Sequence, residues 1–131
     1  GDFNINPGPD LITENGSSGI FGWNGASLDI RHLKVTDNSQ NGISLSLKST
    51  LRIFDADISG NLLNGIELRD GSSVARYWSD NSQRDIITGN SGWGLVCYGG
   101  SNLIGTTEQI EGNAAGEVNC PPIIIPPPAA E

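Results

Sequence analysis

Apolar residues return along this chain at three stations of a long, regular period. With Ile12, Val35, Ile58, Ile87 and Ile110 taken as position zero of successive units, the spacings are 23, 23, 29 and 23 residues. Position eight holds Ile20, Ile43, Ile66, Leu95 and Val118, and position ten holds Gly22, Leu45, Leu68, Cys97 and Cys120. Position sixteen holds Leu28, Leu51, Val74 and Leu103. The residue between positions eight and ten is mostly polar, which is the alternation of a half-buried strand. Three short strands and three corners, at ~3.3 Å per residue, close a loop within one unit, so each unit predicts one turn of a coil. Like residues then stack on like at about 4.8 Å, the spacing of hydrogen-bonded strands. A single turn cannot bury its apolar side, whereas five stacked turns share one continuous core.

Two polar columns punctuate the units. Position three is Asn15, Asn38, Asn61, Asn90 and Asn113 without exception, and position seven is Gly19, Gly42, Gly65 and Gly94, then Glu117. The asparagine is expected to mark a corner that visits left-handed backbone space, and its stacked amides to hydrogen-bond from coil to coil. The glycine is expected to relieve crowding where the next strand begins. Both columns read as scaffold. The fold class is therefore all-β, a solenoid of about five coils with about 23 residues per coil.

The phrases "VTDNSQNGISL", "ISGNLLNGIEL" and "ITGNSGWGLVC" and the columns behind them resemble the right-handed parallel β-helix of the pectate-lyase-like superfamily, over residues 11–120. The resemblance implies right-handed winding, in accord with the crossover rule for parallel strands. Many activities share that scaffold, so the likeness speaks to fold more than to function.

Residues 1–10 carry turn chemistry without the repeat and read as a lead or cap; the chain shows no initiator Met or signal-peptide pattern and looks processed or excised. Residues 121–131 are Pro-rich and read as an extended tail in which Ile123, Ile124 and Ile125 need cover. That cover is either the open end of the core or another chain. A solenoid exposes a sheet edge at each end, so self-association through coil ends or through residues 121–131 is one reading. The third unit is six residues longer than the others, which places a loop at residues 76–85 carrying Tyr77, Trp78, Asp80, Arg84 and Asp85. It either covers apolar wall or forms part of a binding face.

Charge narrows the partners. Fifteen acidic residues against seven basic ones, a net charge of −8, argue against nucleic acid, whose binding rests on Lys and Arg. No run approaches the ~18 apolar residues of a membrane span, so no membrane insertion is expected. With one histidine, His32, and no CxxC spacing, neither a metal nor a cofactor is expected. Cys97 and Cys120 share position ten of adjacent coils, at a stacking distance that a disulfide accepts. They are either bonded, which implies an oxidising compartment and a secreted or cell-envelope location, or reduced and packed as small apolar groups.

The outward columns beside position ten hold Phe21, Ser44, Glu67, Val96 and Asn119, then Trp23, Ser46, Arg69, Tyr98 and Pro121. Aromatic rings stack on sugars, and a carboxylate with a guanidinium grips hydroxyls or uronates. Trp23, Glu67, Arg69 and Tyr98, with Trp93 at the neighbouring corner, are thus the candidate carbohydrate-binding residues. The resemblance supports a glycan groove, because the same outer face carries the active cleft in that superfamily. No catalytic residue is assigned, since Glu67 has no acid directly above or below it in its column. The expectation is a non-catalytic, extracellular module interacting with a polysaccharide. The alternatives are a structural protein that assembles by coil stacking or tail docking, and a fragment of a polysaccharide lyase or glycoside hydrolase.

Overall fold

The computed structural model describes residues 10–76, 85–107 and 109–123. Their strands, numbered in chain order, form three parallel sheets. Sheet I stacks β1 (Asp10–Thr13), β4 (Leu33–Thr36), β7 (Asp57–Ser59), β10 (Ile86–Thr88) and β13 (Ile110–Glu111). Sheet II stacks β2 (Ile20–Gly22), β5 (Ile43–Leu45), β8 (Ile66–Leu68), β11 (Trp93–Cys97) and β14 (Gly116–Asn119). Sheet III stacks β3 (Ser27–Arg31), β6 (Thr50–Phe54), β9 (Ser73–Arg76), β12 (Asn102–Gly105) and β15 (Pro122–Ile123). Every coil contributes one strand to each sheet. From β1 to β13 the chain completes four revolutions, with a partial one beyond.

The register is the one the columns require. Ile12 pairs with Val35, Val35 with Ile58, Ile58 with Ile87 and Ile87 with Ile110. Position eight runs unbroken from Ile20 to Val118 in sheet II, and position sixteen from Leu28 to Leu103 in sheet III. These residues meet along the axis, where Val35, Ile43, Leu45, Ile58, Ile66, Leu68, Val74, Ile87, Leu95 and Leu103 are fully buried. In the end coils Ile12, Ile20, Leu28 and Val118 are only half-buried, since each has a neighbour on one side only. Leu103 pairs with Pro122 and Ile104 with Ile123, so the Pro-rich segment opens with the edge strand of sheet III. Proline is tolerated at such an edge.

The asparagine column is a ladder. Asn61 donates its backbone N–H and Nδ2 to Oδ1 of Asn90 at 3.0 and 2.9 Å, and Nδ2 also to the Val35 carbonyl at 3.2 Å. Its own Oδ1 accepts from the backbone N–H and Nδ2 of Asn38 at 3.0 and 2.9 Å. Asn90 repeats the pattern in full, Asn15 supplies its donor half and Asn113 its acceptor half. The left-handed corner, however, lies one residue earlier than expected: Glu14, Asp37, Gly60, Gly89 and Gly112 have φ of 57 to 69°, and none of the asparagines does. The turn residue ahead of each asparagine takes the unusual φ, which leaves the amide free to point into the stack. The glycine column does relieve crowding. A Cβ on Gly65 would lie 2.6 Å from the Gly94 carbonyl oxygen, 2.7 Å from Cγ2 of Ile87 and 2.9 Å from Nδ2 of Asn90.

A second ladder runs at position fourteen. The backbone N–H of Ala26 donates to Oγ of Ser49, that of Ser49 to Ser72 and that of Ser72 to Ser101, at 3.0 to 3.1 Å. Just before it each coil turns through two left-handed residues: Asn24–Gly25, Leu47–Lys48, Asp70–Gly71 and Gly99–Gly100. Only the second coil uses side chains unsuited to that conformation at both places.

The long third unit keeps its register through a buried ion pair. Arg76, the last residue of β9, and Asp85, just ahead of β10, are fully buried, with Nε of Arg76 2.6 Å from Oδ2 of Asp85. Nη1 of Arg76 donates to the Thr106 carbonyl at 2.9 Å, tying the pair to the next coil. Tyr77, Trp78, Asp80 and Arg84 of the expected loop lie outside the described residues.

Two outcomes follow for stability. Asn61→Ala removes an acceptor from two buried donors and should cost about 3 kcal/mol or more in urea unfolding, since each buried orphan costs about 1–3 kcal/mol. Lys48→Gly, at φ 60°, should instead raise stability by about 1 kcal/mol, because a non-glycine left-handed residue costs about 1–2 kcal/mol.

Candidate functional site

The outward face of sheet II collects most of the candidate residues. Position eleven stacks in register beyond the strand ends. Ser46 N–H donates to the Gly22 carbonyl at 2.9 Å, Arg69 to Leu45 at 2.8 Å and Tyr98 to Leu68 at 2.8 Å. Trp23, Ser46, Arg69 and Tyr98 therefore form one row along the coil axis. Trp23 is 58% exposed and Tyr98 45%. Arg69 lies with its guanidinium carbon 4.8 Å from the Tyr98 ring centroid, a cation–π contact. Trp23 stands two coils away from Arg69, about 10 Å at the strand spacing.

The neighbouring column is less open than the alternation suggests. Phe21 is 63% exposed, but Ser44, Glu67 and Val96 above it are buried. Glu67, 9% exposed, is an internal strut. Its Oε2 accepts from Nε of Arg69 at 2.6 Å, and its Oε1 accepts from Nδ2 of Asn64 at 3.1 Å. The carboxylate beside it raises the Arg69 guanidinium above its ordinary pKa, so the cation persists at any working pH. Glu67 is thus largely covered, with both carboxylate oxygens bonded to Arg69 and Asn64.

Trp93 does not join this row. It opens β11 at the corner, where its backbone N–H donates to Oδ1 of Asn64 at 2.8 Å and its ring packs against Gly116 of the last coil. Asn64 was not singled out by the sequence reading, although its column offers a short signal. Asn41 and Asn64 both stand at position six, and Nδ2 of Asn64 donates to Oδ1 of Asn41 at 3.0 Å. The chain Asn41–Asn64–Glu67–Arg69–Tyr98 is therefore one connected network spanning three coils.

A second polar pair escaped notice for the same reason. His32 and Asp55 occupy position twenty of adjacent coils, both left-handed, with Nδ1 of His32 2.9 Å from Oδ2 of Asp55. They line a shallow depression of about 140 Å³ with Arg31 and Phe54.

Cys97 and Cys120 are bonded, with Cα atoms 4.9 Å apart across one coil step. The crosslink joins the end of β11 to the residue just after β14 and pins the last coil. Reduction should lower stability by about 3 kcal/mol by the entropy of the loop it closes, measured as an earlier urea midpoint in dithiothreitol. The loss should be absent in a Cys97→Ala/Cys120→Ala variant, which starts at the lower value.

The family model described as "Right handed beta helix region" matches residues 10–120. Comparison with curated proteins and with solved structures gives no match.

Proposed function

The chain belongs to the right-handed β-helix family, and from that premise we propose that it is a non-catalytic extracellular module that holds a carbohydrate chain along sheet II. The observation that carries the reading is the row of Trp23, Arg69 and Tyr98. Two exposed rings and a guanidinium held between Glu67 and Tyr98 share one face and one axis. In this reading Trp23 and Tyr98 are stacking platforms for sugar rings, whose C–H faces pack on aromatic surface. Arg69 donates its outward N–H groups to hydroxyls, and Glu67 holds it there.

A binding role is favoured over hydrolysis by the state of Glu67. Glycoside hydrolysis needs two carboxylates about 5–9 Å apart around the scissile bond, and both Glu67 oxygens are already engaged internally. An extracellular or envelope location is supported by the Cys97–Cys120 bond, since such bonds persist in oxidising compartments.

The test is retention on an array of neutral and acidic polysaccharides, followed by calorimetry on whichever polymer is retained. Trp23→Ala and Tyr98→Ala should each weaken binding by about tenfold, the scale of an aromatic contact of about 1.4 kcal/mol. Failure of the intact protein to bind any polymer, or unchanged affinity in both variants, would remove the proposal.

A further inference from the structure

The asparagine ladder has a direction, and its two ends differ chemically. In each coil the backbone N–H and Nδ2 donate to the following coil, while Oδ1 accepts from the preceding one. At the first rung Asn15 donates to Asn38, and its own Oδ1 accepts from no donor among the described residues. At the last rung the donors of Asn113 would face outward. They meet Glu117 instead: its Oε1 lies 3.5 Å from the Asn113 backbone nitrogen and 3.2 Å from Nδ2. The carboxylate occupies the role that a following asparagine plays in every other coil.

Glu117 also stands where the other four coils have glycine, and there a side chain has a second effect. In an interior coil a Cβ at this position strikes the carbonyl and the asparagine of the coil above, as Gly65 shows against Gly94 and Asn90. A residue with a Cβ at position seven therefore obstructs in-register stacking on its own coil.

We propose that the C-terminal end face of this solenoid fits the N-terminal end face of a second copy of the chain, and that Glu117 is the gate holding the two apart. Once Glu117 is removed, the Asn113 backbone N–H loses its acceptor and Nδ2 keeps only the Ile87 and Glu111 carbonyls, so both donors can turn to Oδ1 of Asn15 in the next molecule, and the coils continue in the 23-residue register. Such a contact is head-to-tail and does not close, so it grows into a filament. The serine ladder offers no help, because Ala26 has no hydroxyl to accept a bond. The contact depends on the asparagine corner.

The experiment compares the intact chain with Glu117→Gly, Glu117→Gln and the double variant Glu117→Gly/Asn15→Ala. Light scattering is measured from dilute to near-millimolar protein, with circular dichroism confirming the same β content throughout. The native chain and Glu117→Gln, which keeps both the acceptor and the Cβ, should remain monomeric. Glu117→Gly should gain mass with concentration, and Asn15→Ala in that background should restore the monomer. Hydrogen exchange at the Asn113 amide gives a readout independent of assembly: slow in the native chain and Glu117→Gln, and at least tenfold faster in dilute Glu117→Gly. A Glu117→Gly protein that stays monomeric, or whose assembly survives Asn15→Ala, overturns the proposal. So does native protein that already stacks end to end.

Discussion

A column of buried amides, its interior rungs matched donor to acceptor, is what the coil stack depends on. Strand pairing alone satisfies the backbone of the three sheets but leaves the corners between them, where the chain must turn without water to bond to. At the first corner of each interior coil one asparagine side chain does this work three ways. It accepts two bonds from below, donates to the rung above, and returns a third bond to the carbonyl at position zero of the preceding coil. The desolvation of each amide is offset only if its neighbours are in place, so the interior rungs, Asn38, Asn61 and Asn90, are mutually dependent. The close approach at glycine is part of the same arrangement: the carbonyl of Gly94 and the amide of Asn90 occupy the space that a Gly65 side chain would need.

The apolar core follows from that spacing. Side chains at positions zero, eight and sixteen point to the axis and are fully covered by their counterparts in the middle coils, whereas Ile12, Ile20 and Leu28 remain half-open at one end. The opposite end is held differently, by the Cys97–Cys120 bond and by Trp93 lying on Gly116. The wall on the sheet II side carries its own polar network. Asn64 and Glu67 fix Arg69 against Tyr98, so that a long flexible side chain presents its charge in one orientation.

Position-by-position reading recovered the parts of this structure that repeat. The three pairings from Ile12, Ile20 and Leu28 onward, the amide ladder and the cysteine contact all follow from residues standing a fixed number of places apart. It misjudged what depends on local geometry inside a unit. The left-handed φ belongs to Glu14, Asp37 and the glycines at the same place, because the residue before the ladder must turn so that the ladder amide can point inward. Alternation suggested an open outer face, yet Glu67 is nearly covered because Arg69 and Asn64 reach across it, a matter of side-chain reach that spacing does not encode. The serine ladder and the His32–Asp55 pair were visible as columns, but short polar columns are easily taken for ordinary surface. Departures from a column proved the more telling signal: Ala26 and Glu117 mark where each ladder stops.

The clamp between Arg76 and Asp85 has a consequence for how this chain tolerates change. Elsewhere in a coil one added residue would shift every later side chain to the wrong side of its strand. At this corner Arg76 pairs with Gly105, and Ile86 resumes opposite Asp57, so both strands keep register although this unit is six residues longer than the others. Lengthening a closed loop is cheap, about 0.6 kcal/mol per doubling. The clamp thus lets one unit exceed the 23-residue period while the strands on either side of it stay in register.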